Sequence, residues 1–269
     1  MATVTERDQS LRSLERGMAV IQVFSRERPA LTLSEVARLT NTTRATARRI
    51  LLTLEKLGHV RTDGKLFTLT PRVLSLGWAY LASLNLPELA QPIMEDLVER
   101  TKESCSMATL DPPEIVYVAR VPTRRIMTIT LGVGARLPAH ATSMGRVLLA
   151  GLSDGDLDCF LASTALDRFT EHTITDPAAL RDAVLEARAQ GWAFVDQELE
   201  IGLRSVAAPV TSPSGRTVAA VNVSAAAQRV SSDEFRERFL PLLLETAALI
   251  STAAGHARAG QPAGVEVGV

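Results

Sequence analysis

Between Leu31 and Thr70 two short helical patterns and a tight hairpin follow one another without a gap, and this succession limits how the N-terminal part can fold. In LTLSEVARLT, Thr32 is placed to cap a helix, Glu35 stands three residues on as its capping-box partner, and Val36 and Leu39 face inward. Thr40-Asn41-Thr42 turns into TRATARRILLTLEKLG, where Ala47, Ile50, Leu51 and Leu54 share a face, Leu57 extends it and Gly58 supplies the stop. HVRTDGKLFTLT then alternates on either side of Asp63-Gly64, a strong hairpin signal. Upstream, SLERGMAVIQVF spaces Leu14, Met18, Val20, Ile21 and Phe24 as a helix with Ser13 at its N-cap, and Pro29 ends that region. Three helices followed by a β-ribbon make a winged helix-turn-helix, assigned to residues 11–70.

The second helix of such a pair is the one that enters a major groove. Its outward positions are Arg44, Ala45, Arg48 and Arg49, with Thr43 and Thr46 near the N-terminal end, and Arg61 and Lys65 lie on the ribbon. Arginine binds guanine edges or neutralises phosphate, and threonine bonds to phosphate or touches a thymine methyl. The bland alternative is that these arginines only solvate an exposed face. Charge is divided in the same sense: residues 1–70 hold 12 Arg/Lys against 7 Asp/Glu, and the remainder 17 against 23. A polyanion such as double-stranded DNA is therefore the partner expected for the N-terminal part alone. Which arginine reads a base stays open.

With 269 residues, 46% of them apolar and 22% charged, the chain is expected to form two ordered domains. It has no membrane-length apolar run, and its first residues lack the apolar core of a signal peptide, so a cytoplasmic protein with no membrane partner is expected. Cys105 and Cys159 are 54 residues apart, which suits neither a disulfide framework nor a zinc site. His59, His140, His172 and His256 are scattered, and no phosphate-binding loop or nucleophile elbow occurs. Asp196, Glu198 and Glu200 read better as a solvated loop or a salt bridge to Arg204 than as acid/base groups. No catalytic residue, metal or cofactor is expected.

Thr70-Pro71 opens a helix, and VLSLGWAYLASL continues it with apolar residues on more than one face, giving a linker over residues 71–86. Packing against a partner subunit and packing within the chain explain it equally well. Beyond Pro87 a helix runs from Glu88 to Thr101 with a kink or restart at Pro92. Strands follow at Ser104–Leu110, Ile115–Val121 and Ile126–Leu131, and a loop becomes a helix capped by Thr142 or Ser143. Two helices, Asp154–Ala162 and Pro177–Gln190, precede strands at WAFVDQ, SVAAPV and VAAVNVS. A closing helix starts at Ser231, with Pro241 as a kink and a frayed tail after Gly255. Consecutive hairpins with helices to one side indicate an α+β domain with an antiparallel-rich sheet, over residues 87–256.

SLERGMAVIQVF, LSEVARLTNTTRATARRILLTLEKLGHV, LPAHATSMGRVLLA, GWAFVDQELEIGLRSVAAPV and VAAVNVS, in this order, resemble IclR-type transcriptional regulators from about Ser13 to Ala254. TRATARRILLTL and LASLNLPELAQPIMEDL look most like the subgroup controlling aromatic-acid catabolism through the β-ketoadipate pathway, whose effectors include protocatechuate, 4-hydroxybenzoate and β-ketoadipate. The resemblance implies a GAF-like effector domain and homodimers or homotetramers, and in a ligand-responsive regulator effector binding is expected to shift either DNA affinity or contacts with RNA polymerase. It places the effector against Ser143, Met144, Val195, Ser205, Asn222 and Ser224, with His140 nearby. A family member that binds a small oxoacid has an acidic residue where Val195 stands, and small residues at Ser143 and Met144. Those departures suit a bulkier, more apolar organic acid. Three alternatives stand beside this reading: a relative serving another carbon-catabolic operon, an enzyme with an accessory DNA-binding domain, and a DNA-binding structural protein without an effector.

Overall fold

In the computed structural model, which describes residues 11–25, 27–76, 86–123 and 132–259, the chain divides into two compact units, Met1–Ser83 and Leu84–Val269. The first unit contains α1 (Arg12–Gln22), β1 (Ala30–Thr32), α2 (Leu33–Leu39), α3 (Arg44–Lys56), β2 (Val60–Thr62) and β3 (Leu66–Leu69). Thr32 and Glu35 form the reciprocal capping box at the start of α2. The Thr32 hydrogen bonds hold the Glu35 carboxyl below its ordinary range. Asn41, with φ of 49°, turns the chain between α2 and α3, and Gly58, with φ of 81°, ends α3. In the ribbon the Asp63 carboxylate accepts hydrogen bonds from the Lys65 and Leu66 amides at 2.9 and 2.7 Å, which closes the turn on Gly64. The core joins Val20, Leu31, Val36, Ala37, Ala47, Leu51, Leu54 and Val60, with Phe67 and Leu69 of the ribbon packed against it.

Four local expectations need correction in this unit. The side chain of Ser13 caps nothing at the start of α1, because the helix begins at Arg12 and its N-cap is Leu11. Leu14 and Met18 are 62% and 45% exposed, so the buried edge of α1 is Val20 alone, flanked by half-buried Ile21 and Phe24. Leu57, 52% exposed, lies beyond the core face because the helix has already ended. The ribbon also has a third strand: β1 pairs with β3, giving the order β1-β3-β2. A three-residue strand running directly into a helix cap carries too little alternation to be read in advance. Only the opening of the linker is described: Thr70 caps the helical turn Pro71–Val73, and its continuation from residue 77 to 85 lies outside the described residues.

The second unit contains α4 (Leu86–Thr101), β4 (Ser104–Asp111), β5 (Glu114–Val121), β6 (Arg136–Pro138), α5 (Ser143–Ala150), α6 (Asp154–Ser163), α7 (Pro177–Gln190), β7 (Ala193–Asp196), β8 (Leu203–Thr211) and β9 (Thr217–Ala226). It closes with the turn Ser232–Glu234, a π-helical turn Phe235–Phe239 and α8 (Leu240–Ala259). Strand order is β6-β5-β4-β9-β8-β7, all antiparallel. The strand expected over Ile126–Leu131 lies outside the described residues, and β6 is one the sequence did not announce. α4 runs through Pro92 as one helix instead of restarting. The π-helical turn ends two residues before Pro241, which opens α8 at a position where its missing N–H is tolerated, and α8 continues past Gly255 to Ala259.

Register explains how the sheet serves two sides. Ala108, Ala193, Ala207 and Ala220 point to one face and join the core built by α5, α6 and α7. Residues of the other parity, among them Cys105, Met107, Val206, Val221 and Val223, turn to the opposite face, where α4 and α8 pack on the strands. The first turn of α5 packs tightly against the loop that leads into it. A Cβ built on Gly145 would fall 2.0 Å from the Ala139 carbonyl oxygen and 2.5 Å from its Cα. That neighbour is backbone, so it cannot swing aside. Gly145→Ala is expected to lower the stability of the full chain by about 1–3 kcal/mol in thermal unfolding. Gly155→Ala, whose Cβ would meet open space, is expected to leave stability unchanged or slightly raised.

Candidate functional sites

The cationic face of the first unit is exposed. Thr43 is the N-cap of α3, accepting a hydrogen bond from the Thr46 amide at 3.2 Å and donating its own hydroxyl proton to Thr46 Oγ1 at 3.0 Å. Arg44, Ala45, Arg48 and Arg49 are exposed, and none of the three guanidinium groups has an ion-pair partner among the described residues. Arg44 and Arg48 are four residues apart and stack on one stripe of the helix. Arg49 sits about 100° further round and borders a groove shared with Leu14 and Met18 of α1. On the ribbon, Arg61 Nε donates to Thr68 Oγ1 at 3.0 Å, which holds its stem against the opposing strand, while Lys65 stands at the tip. Free cations on a rigid helix and on a hairpin tip are what phosphate and groove contacts require.

In the second unit, one cavity of about 260 Å³ lies between the sheet and the N-terminus of α5. Ser143, Met144, Val195, Ser205, Asn222 and Ser224, expected as one set, all line it. The strand residues come together because Val195 pairs with Ser205, Ser205 with Ser224, and Asn222 stands two residues before Ser224 on the same face. The Ser143 and Ser205 hydroxyls are 2.8 Å apart. Asn222 accepts from the Ser106 amide at 3.1 Å and donates to Ser224 at 3.0 Å, so its amide is fixed in one orientation. The Thr142 hydroxyl takes the Gly145 N–H at 3.1 Å, which leaves the Ser143 and Met144 amides as the first donors of α5.

His140, expected near the set, precedes the lining residue Ala141 without lining the cavity itself. Its ring lies outside the cavity wall, with Nε2 3.0 Å from the Asp167 carbonyl oxygen and its centroid 5.7 Å from that of Phe169. Tyr117, Arg120, Leu137, Leu199, Glu200 and Leu203 are cavity residues that the sequence reading missed. Burial pushes the Tyr117 phenol up to about 12, so it stays a neutral donor. A lone arginine in the apolar run IVYVARV was the one available signal, and it is silent about which face the arginine takes. Cys105 is buried on the other face, where desolvation raises its thiol far above the ordinary range and leaves it inert.

The β7–β8 connection, Gln197 to Gly202, forms the outer wall. Asp196 does pair with Arg204, at 2.7 and 3.1 Å. Glu198 does not join it. It makes a bidentate pair with Arg146 of α5 at 2.9 and 2.8 Å, and both side chains are more than nine-tenths buried. Arg146 also donates to the His140 carbonyl oxygen at 3.1 Å, while Thr170 and Thr173 donate to the carbonyls of Gln197 and Glu198 at 2.7 and 2.6 Å. The wall is thus tied to the helix and to the preceding loop. Breaking such a pair leaves one charge uncompensated in low dielectric. Glu198→Ala is expected to cost about 3–5 kcal/mol in urea denaturation, with much of it recovered in Arg146→Met/Glu198→Leu; wild-type stability in the single variant would show that the pair carries no such constraint.

A family model described as "Bacterial transcriptional regulator IclR C-terminal" matches residues 78–252, and one described as "IclR helix-turn-helix domain" matches residues 13–64. The chain is 46% identical over 233 residues to the Pca regulon regulatory protein of Pseudomonas putida, covering 86% of this chain and 80% of that one. A solved structure of a Rhodococcus sp. RHA1 protein described as a transcriptional regulator is 53% identical with a TM-score of 0.82, covering 91% of this chain and 98% of that one. A structure of an IclR homolog complexed with 4-hydroxybenzoate, from Microbacterium hydrocarbonoxydans, is 27% identical with a TM-score of 0.81, covering 92% and 100%. No helix among the described residues is long and apolar enough to cross a membrane.

Proposed function

Because this chain belongs to the IclR family of bacterial transcriptional regulators, we propose that it is a ligand-responsive regulator of aromatic-acid catabolic genes, holding its effector in the cavity between the sheet and α5. The observation that carries this reading is the cavity itself. Apolar walls from Met144, Val195, Leu137 and Leu203 surround a few fixed polar groups, the character of a site for one small amphipathic molecule. A relative that regulates a Pca regulon and a structural neighbour holding 4-hydroxybenzoate support a small aromatic acid. The cavity hydroxyls and amides are placed to orient such a molecule, and the relatives are named as regulators, so the chain acts by binding, in the cytoplasm where its operator is.

The DNA-contacting residues in this reading are Thr43, Arg44, Ala45, Thr46 and Arg48 on α3, and Arg61 and Lys65 on the ribbon. Arg49, turned toward α1, serves phosphate contact at most. Exposed Leu14, Met18 and Leu57 give the first unit an apolar surface that suits a homodimer reading two half-sites. Arg44→Ala or Arg48→Ala is expected to weaken operator binding by about 1–3 kcal/mol where the arginine pairs with a guanine. Loss of a phosphate contact instead weakens binding to every sequence alike and flattens the salt dependence. A mobility-shift titration at several salt concentrations separates these outcomes, and unchanged affinity in both variants would remove α3 from the interface.

A further inference from the structure

We infer that Arg120 and Glu200 make the cavity bipolar and select a hydroxylated aromatic monocarboxylate, with the carboxylate on Arg120 beside Tyr117 and the ring hydroxyl toward Glu200. This deepens the reading of the cavity as the effector site and rests on it. The first support is an irregularity of the sheet. Along β4 and β5, Ala108 pairs with Tyr117 and Ser106 with Arg120, while the register shifts between Met107 and Ala108. The extra residue, Val118, is a bulge. Ser106 and Ala108 are two apart on β4 and share a face, so their partners Tyr117 and Arg120 share it too, although three positions separate them. Without the bulge, strict alternation would send one of the two to the α4 side. The bulge therefore brings a cation and a phenol together at the cavity.

The second support is their bonding. Among the described residues the one hydrogen bond of Arg120 is from Nη1 to the Ser106 hydroxyl, at 3.2 Å, and no carboxylate there pairs with it. Tyr117 is 5% exposed, and its hydroxyl has no partner among the described residues. A half-buried guanidinium with no counter-ion among the described residues, beside a neutral phenolic donor, is a receptor for a carboxylate. At the other side, Glu200 lines the cavity from the β7–β8 connection, and its carboxylate is likewise without a partner among the described residues. Strand order puts β8 three strands from β5, about 14 Å at backbone level. An acceptor there welcomes a hydroxyl proton and repels a second carboxylate.

The test is isothermal titration calorimetry on the full chain with four probes: 4-hydroxybenzoate, its methyl ester, benzoate and adipate. Wild type is expected to bind 4-hydroxybenzoate about 10- to 100-fold tighter than the methyl ester and tighter than benzoate, with adipate weakest. Arg120→Met should lose that preference over the ester while still binding the ester as wild type does, which also reports that the variant is folded. Glu200→Gln should erase the preference over benzoate and improve adipate. If 4-hydroxybenzoate binds wild type but Arg120→Met and Arg120→Gln bind it equally well, the inference falls while the cavity reading stands. If adipate binds wild type as tightly as 4-hydroxybenzoate, the assignment of Glu200 falls. Absence of binding by all four probes overturns both the inference and the reading beneath it.

Discussion

The structure of the second unit turns on one buried ion pair. Arg146 lies on a helix whose neighbouring residues are all buried, and Glu198 lies on a connection with little regular hydrogen bonding of its own. Neither charge tolerates burial alone. Paired in two parallel hydrogen bonds, they bind the first wall of the cavity, α5, to the second, the β7–β8 connection. The threonines at positions 170 and 173 then hold the same connection from its other side. A pair of this kind contributes geometry more than net stability. Here the geometry is the spacing between the two walls of the cavity.

Small residues on the sheet face do the complementary work. Where that face meets the body of α5, α6 and α7 it is alanine, and the helices share one core with it. Toward the helix N-terminus the same face becomes Ser205, Asn222 and Ser224, which set a few polar groups in an otherwise apolar cavity. Packing and recognition therefore share one surface, and the change from alanine to serine and asparagine marks the border. The first unit divides its labour in a similar manner. Ala37 and Ala47 let α2 and α3 meet in the core, while the exposed stripe of Arg44 and Arg48 has no ion-pair partner among the described residues.

Much of this was legible in the sequence because it follows from short-range rules. The capping box at Thr32, the stop at Gly58, the turn at Asp63-Gly64 and the cap at Ser231 are each fixed by residues within four positions of one another. Six expected effector residues line the cavity together, a grouping that came from family resemblance and not from periodicity. What stayed hidden depends on distant partners. Nothing local tells Glu198 to choose Arg146 over Arg204, or turns the His140 ring toward Phe169. Arg120 was missed because a one-residue bulge reverses the parity by which strand positions are assigned to faces. The apolar residues of α1 misled in the opposite direction: Leu14 and Met18 have helical spacing yet lie on the surface.

If the cavity is the sensor and the cationic helix the reader, the two must be linked in free energy, and linkage is reciprocal. The most direct measurement is a closed thermodynamic cycle on the full chain. Operator affinity is determined without and with saturating 4-hydroxybenzoate, and ligand affinity without and with saturating operator DNA, at one salt concentration. The account predicts that both ratios depart from one by the same factor, about 5- to 150-fold in typical allosteric systems. Ratios of one on both sides, with each ligand still binding its own unit, would contradict it.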